Sequence, residues 1–218
     1  MPSTRYQKIN AHHYRHIWVV GDIHGEYQLL QSRLHQLSFF PKIDLLISVG
    51  DNIDRGPESL DVLRLLNQPW FTSVKGNHEA MALEAFETGD GNMWLASGGD
   101  WFFDLNDSEQ QETIDLLLKF HHLPHIIEIT NDNIKYAIAH ADYPGSEYLF
   151  GKEIAESELL WPVDRVQKSL NGELQQINGA DYFIFGHMMF DNIQTFANQI
   201  YIDTGSPNSG RLSFYKIK

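Results

Sequence analysis

The chain has 218 residues and no cysteine. Disulfide scaffolds, thiolate zinc sites, iron–sulfur clusters and thiol nucleophiles are therefore excluded together. Positive charge is scarce: 16 lysines and arginines stand against 29 acidic residues, a formal net charge of -13. Such a surface repels phosphate backbones, so sequence-independent nucleic-acid binding is not expected, and an anionic ligand would need a metal or a local basic pocket. No run approaches the roughly 18 apolar residues of a membrane span. The start, MPSTRYQKINAHHYRH, lacks the apolar stretch of a secretory signal. A cytoplasmic location without a membrane partner is the expectation. Repeats, low-complexity tracts and Pro/Gly/Ser-rich linkers are missing too, so a single domain is expected over residues 1–218.

What is present is ordinary globular patterning with unusual punctuation. Ile17–Val20, Leu45–Val49 and Phe71–Val74 are short apolar runs, and each is followed by a polar segment and then a helical pattern. Strand, turn, helix, three times over, predicts parallel strands with crossover helices. From about Asn92 to Leu123 the pattern is helical and aromatic, with Trp94, Trp101, Phe102 and Phe103 around Gly98-Gly99, and predicts a helical cap folded onto the sheet. The second half predicts a hairpin, His125–Thr130 with Ile134–His140, then strands at Tyr182–Phe185, Ile193–Phe196, Gln199–Asp203 and Arg211–Ile217. That half is expected to be mostly antiparallel, giving a mixed α/β fold of two packed sheets.

The polar segments are GDIHG (Gly21 to Gly25), GDNIDRG (Gly50 to Gly56) and KGNHE (Lys75 to Glu79). Ligands of open α/β sheets bind beyond the carboxyl ends of the strands, so Asp22, His24, Asp51, Asp54, Arg55, Asn77 and His78 are expected in one region. Residues i and i+2 of an extended stretch point the same way, which lets Asp22 and His24 reach a common point. Carboxylates, an amide oxygen and imidazoles suit Mn, Fe or Zn. His140 and His187 each end a later apolar strand and are plausible further donors; together the set exceeds what one ion needs, and a carboxylate such as Asp51 could bridge two. Singly, each motif has a plain structural explanation, a capping Asp or a satisfied core histidine. Three in order, each followed by a helix, do not. The other seven histidines, His12, His13, His16, His35, His121, His122 and His125, match no motif and are read as surface or core residues.

These motifs, with RHIWVVGDIHG, DLLISVGD, HADYP, FIFGH and YIDTG, resemble the phosphoprotein phosphatases of the metallophosphoesterase superfamily, and within them the short bacterial and bacteriophage-lambda type serine/threonine protein phosphatases, from about Tyr14 to Lys216. The resemblance implies a metallophosphoesterase-type αββα sandwich of two mixed sheets with a small helical cap. It also implies two divalent ions, usually Mn²⁺. Asp22 and His24 match ligands of the first ion, Asp51 the bridging carboxylate, and Asn77, His140 and His187 ligands of the second. His78 matches the general acid, Asp54 the carboxylate that orients it, and Arg55 a phosphate-gripping arginine; a metal-bridging hydroxide would attack phosphorus. Phosphoprotein or phosphopeptide substrates carrying phosphoserine or phosphothreonine follow, with phosphotyrosine or phosphohistidine as extensions.

The chain departs from that pattern in places. Lys75 stands where the subgroup has arginine before GNHE, and Trp161-Pro162-Val163-Asp164-Arg165 keeps only the second arginine of a Trp-x-Arg-x-Arg segment. Met188 and Ser206-Pro207 also differ from the usual residues. Lys75 and Arg165 are the expected substrate-binding cations beside Arg55, in a thinned phosphate pocket. Two alternatives stay open at this point: a symmetrical diadenosine-tetraphosphate hydrolase, and a catalytically weak phosphoprotein-binding module.

Overall fold

The computed structural model describes residues 4–218. Ten strands form two sheets: β1 (Tyr6–Asn10), β2 (Ile17–Val20), β3 (Leu45–Ser48), β4 (Phe71–Ser73), β5 (Ile126–Asn131), β6 (Ile134–Ile138), β7 (Tyr182–Phe185), β8 (Gln194–Phe196), β9 (Gln199–Tyr201) and β10 (Phe214–Lys216). One sheet has the order β10-β2-β3-β4 and the other β1-β5-β6-β7-β9-β8. The helices are α1 (Tyr27–Gln36), α2 (Ser59–Arg64), α3 (Asn77–Thr88), α4 (Asn92–Ala96), α5 (Asp107–Leu117), α6 (Ser157–Leu160), α7 (Asp164–Leu170) and α8 (Ser206–Ser209).

Side-chain alternation sorts the apolar residues into layers. Ile17, Val19, Ile47 and Val49 of the small sheet meet Ile127, Ile129, Ile138, Ile184 and Ile200 of the large one, and this is the core between the sheets. The opposite face of the small sheet, with Val20, Leu46 and Phe71, packs on Leu30 and Leu34 of α1 and Val62 of α2. The outer face of the large sheet, with Ala137, Phe183 and Phe185, packs on Leu159, Leu160 and Val166 of α6 and α7. The result is the expected αββα sandwich. A fourth cluster joins Ile53, Leu60 and Met81 to Trp94, Phe102, Leu116 and Phe120, so the aromatic segment is indeed a helical cap, seated against the strand-end loops.

One expectation is corrected. The second half is not mostly antiparallel: β5–β6 and β8–β9 are, but β6–β7 and β7–β9 are parallel. The stretch between β6 and β7 holds α6 and α7, whose apolar faces cover the large sheet, and such a crossover returns the chain in the same direction. The segment at residues 6–10 is also a strand, pairing in parallel with β5. It is an edge strand, with only Tyr6 and Ile9 partly covered by the core, so it lacks a strong apolar alternation. Among the described residues no helix is long and apolar enough to cross a membrane.

Candidate active site

The three loops after β2, β3 and β4 are laced together by backbone and side-chain hydrogen bonds. Ile23 and His24 both donate their N–H to the Asp51 carbonyl, at 3.0 and 2.9 Å. The Glu79 carboxylate, buried in the first turn of α3, accepts from the N–H groups of Asp51 (3.0 Å), Asn52 (2.6 Å) and Gly76 (2.9 Å) and from the Asn52 side chain (3.2 Å). A β-carbon at Gly21 would lie 2.4 Å from the Ile202 carbonyl oxygen, so the first loop leaves its sheet only because that residue is glycine. His24, Asp51, Asp54, Arg55 and His187 all have φ between 46° and 72°. Non-glycine residues adopt that left-handed conformation at a cost, and its concentration here marks a site whose surroundings over-determine the backbone.

This framework presents donor atoms to one place. The Nδ1–H groups of His24 and His140 donate to the carbonyls of Ile53 and Val49, both at 2.8 Å, which fixes the ring orientations and turns each Nε2 inward. His140 Nε2 lies 3.4 Å from Asp51 Oδ2 and 2.8 Å from Asn77 Oδ1. His187 Nδ1 is 3.1 Å from the same Asn77 oxygen. Two sets of donors lie within 4.8 Å of one another: His24, Asp51 and His78, and Asp51, His140 and His187. Asp51 belongs to both. Asp22 stands outside these sets, its carboxylate accepting from the His187 N–H at 3.1 and 3.2 Å.

The electrostatics match a cation. Burial pushes the His24 imidazole down to about 3, and burial with neighbouring His140 takes His187 down to about 4, so both rings are neutral. Asp51 is held well below the usual carboxylate range, because His140 and His78 outweigh burial. Burial, Asp203 and Asp51 push Asp22 well up. Buried carboxylates that repel one another beside neutral imidazoles are what hard or borderline divalent ions bind. The residues therefore fit such ions.

His78 is different. Its Nδ1–H donates to Asp54 Oδ2 at 2.6 Å, and its Nε2 faces Asp51 Oδ2 at 3.9 Å. Burial works against its charge, but Asp51 and the bond to Asp54 outweigh it and raise the imidazole above its ordinary value. The Asp54 carboxylate also accepts the indole N–H groups of Trp94 (3.0 Å) and Trp101 (2.8 Å). Arg55 is exposed, and its two Nη atoms lie 2.9 Å from His24 Nε2 and 2.9 Å from His78 Nε2.

Lys75 and Arg165, the two further cations expected to bind substrate, are each paired with a carboxylate. The Lys75 amine is ion-paired with Glu156 at 3.0 Å. The carboxyl of Glu156 is taken down to about 2 because His125 and Lys75 outweigh burial. Arg165 donates to Asp142 (2.8 Å) and to the carbonyls of Tyr143 (2.9 Å) and Gly145 (2.7 Å). Neither hydrogen-bonds any of the six candidate ligands. Buried cations are neutralised locally, and both of these are. Sequence reasoning also missed Glu79, Trp94 and Trp101. For Glu79 a signal existed, since a glutamate three residues after a helix start is the far side of a capping box. The tryptophans lie 40 or more positions from Asp54 and gave no local sign.

Carboxylates and imidazoles gathered at the ends of strands from two facing sheets define a candidate metal centre. The model of the calcineurin-like phosphoesterase family matches residues 15–190, and the chain belongs to that family. It is 60% identical over 218 residues to serine/threonine-protein phosphatase 2 of Salmonella typhimurium, covering 100% of both chains. Serine/threonine-protein phosphatase 1 of the same organism is 43% identical over 217 residues, 100% of this chain and 99% of that protein. The symmetrical bis(5'-nucleosyl)-tetraphosphatase of Erwinia tasmaniensis is 42% identical over only 71 residues, 32% of this chain and 26% of that protein.

Proposed function

We propose that the chain is a phosphoprotein phosphatase, hydrolysing phosphoserine and phosphothreonine monoesters with two divalent ions, Mn²⁺ being the native choice, and extending to phosphotyrosine or phosphohistidine. The observation that carries this reading is a shared carboxylate, Asp51, faced by an imidazole, His78, whose other nitrogen is tied to Asp54. In this reading Asp22, His24 and Asp51 hold one ion, and Asp51, Asn77, His140 and His187 the other. Bound there, the ions supply Lewis acidity to the phosphoryl oxygens and acidify the water that attacks phosphorus.

The chain's own groups do the rest. The planar fork of Arg55, reaching over both His24 and His78, grips two phosphoryl oxygens and sets the ester in line. His78 Nε2 gives its proton to the departing alcohol oxygen, and Asp54 fixes the ring and stabilises its charge. A protein that only binds phosphopeptides needs no leaving-group acid, so the intact Asp54–His78 pair favours turnover. The full-length similarity to the two Salmonella phosphatases supports protein substrates over dinucleotides.

Hydrolysis of a phosphoserine peptide, an aryl phosphate and diadenosine tetraphosphate across a Mn²⁺ titration tests the reading. Metal-dependent phosphate release from the peptide, with little cleavage of the dinucleotide, is expected. Preferential dinucleotide cleavage would make the chain a nucleotide hydrolase, and peptide binding without turnover would make it a binding module.

A further inference from the structure

The Asp54 carboxylate is fully buried, and its side chain is met by three ring N–H donors. One is the His78 imidazole on Oδ2. Trp101 donates to Oδ1 at 2.8 Å, and the Trp94 N–H is shared between Oδ1 at 3.0 Å and Oδ2 at 3.2 Å. These indoles come from the helical cap, α4 and the turn at Gly99–Asp104, and not from the strand-end loops. One indole on Oδ1 and one straddling both oxygens fix the plane of the carboxylate, with Oδ2 making its shortest bond, 2.6 Å, to His78.

Indole is a donor without an acceptor. It can meet the charge of a buried carboxylate but cannot take a proton from the imidazole. His78 therefore remains the one partner with which Asp54 can share a proton. The cap is shaped for this contact. A β-carbon at Gly99 would sit 2.5 Å from the Trp94 Nε1 and Cε2 atoms, so glycine there is what lets the indole edge pass to Asp54. The Gly98 carbonyl accepts the Arg55 N–H at 3.3 Å, which ties the same piece of cap to the next residue of the loop. Gly98-Gly99 is thus more than a helix breaker.

We propose that Trp94 and Trp101 are positioning residues for the leaving-group acid, acting on His78 through Asp54. This rests on the phosphatase reading and assigns the helical cap a part in it.

The test uses the metal-loaded full chain and the variants Trp94→Phe, Trp101→Phe and their pair, which keep an aromatic ring but remove the donor. Turnover of a phosphoserine peptide and of an aryl phosphate is measured together with bound metal and Tm. The paired variant should lose about 10–100-fold in kcat on the peptide, a fraction of the 10²–10⁴ that a general acid contributes. KM and metal content should hold, and the loss on the aryl ester should be smaller. The same substitutions made in His78→Asn should cost nothing further. Equal losses on both esters, or a full additional loss in His78→Asn, would overturn the proposal, because a purely structural defect does not depend on the leaving group. Should the paired variant fail to fold, Trp101→Phe alone, at a half-buried position, carries the same comparison. A wild-type chain with no metal-dependent turnover would instead overturn the phosphatase reading and leave the two failures distinguishable.

Discussion

Asp51 and His78 lie 3.9 Å apart and are prepared for opposite tasks. Asp51 is held well below the usual carboxylate range by His140 and His78 against the cost of burial, while Asp51 and Asp54 raise His78 above its ordinary value. Their loss should therefore be told apart by metal content. His78→Asn should retain both ions while kcat falls by about 10²–10⁴, less for an aryl ester whose leaving group needs little protonation. Asp51→Asn should lose both ions, because it is the donor common to the two sets. Metal analysis of each purified variant checks this, and full occupancy in Asp51→Asn would remove the bridging role. The convergence of the strand ends was readable from the polar loops themselves, whose His24, Asp51 and His78 lie together in the structure. The pairing of Lys75 was not legible, because its sequence neighbours say nothing of Glu156, which comes from a loop far along the chain.

At the scale of elements, the site hangs on the start of α3. Glu79 gathers four N–H groups from two loops, so the helix holds the second and third strand ends in register. Glu79→Gln replaces one accepting oxygen with an NH₂ that faces donors. Bonds to a charged acceptor contribute about 1.5–3 kcal/mol each, and a buried orphan costs a similar amount. A net loss near 3 kcal/mol, or about 6–12 °C in Tm for a domain of this length, is expected by thermal melting. An unchanged Tm would mean that the loops hold without it. The strands β2, β3 and β4 were legible because each is a short apolar run cut off by a glycine-bearing polar loop. Strand β1 was not, since an exposed edge strand needs no alternation, and the parallel β6–β7 pairing was hidden by a long crossover with short helices.

For the whole molecule, the candidate ligands are shared between the sheets. Asp22, His24, Asp51 and Asn77 follow strands of the small sheet, whereas His140 and His187 follow strands of the large one. Cations held there tie the two halves of the sandwich together and do not bind the unfolded chain in the same way. At a hundred times its dissociation constant a single ion adds about 2.7 kcal/mol, so Mn²⁺ should raise Tm by about 5–11 °C and a chelator should reverse it. His187→Ala should shrink that shift. A metal-insensitive Tm would show that the sheets are joined by apolar packing alone.

The pairing of β10 with β2 joins Phe214 to Val20 and Lys216 to Trp18, across nearly the whole length of the chain. During synthesis, β2 emerges long before β10, its partner on that edge. Until then one edge of β2 is a row of open N–H and C=O groups next to apolar side chains, the kind of edge that recruits strands from other chains. Contacts so distant in sequence also slow the folding search. The same arrangement that closes the small sheet behind the loop bearing Asp22 and His24 thus makes the nascent chain dependent on β10 for protection.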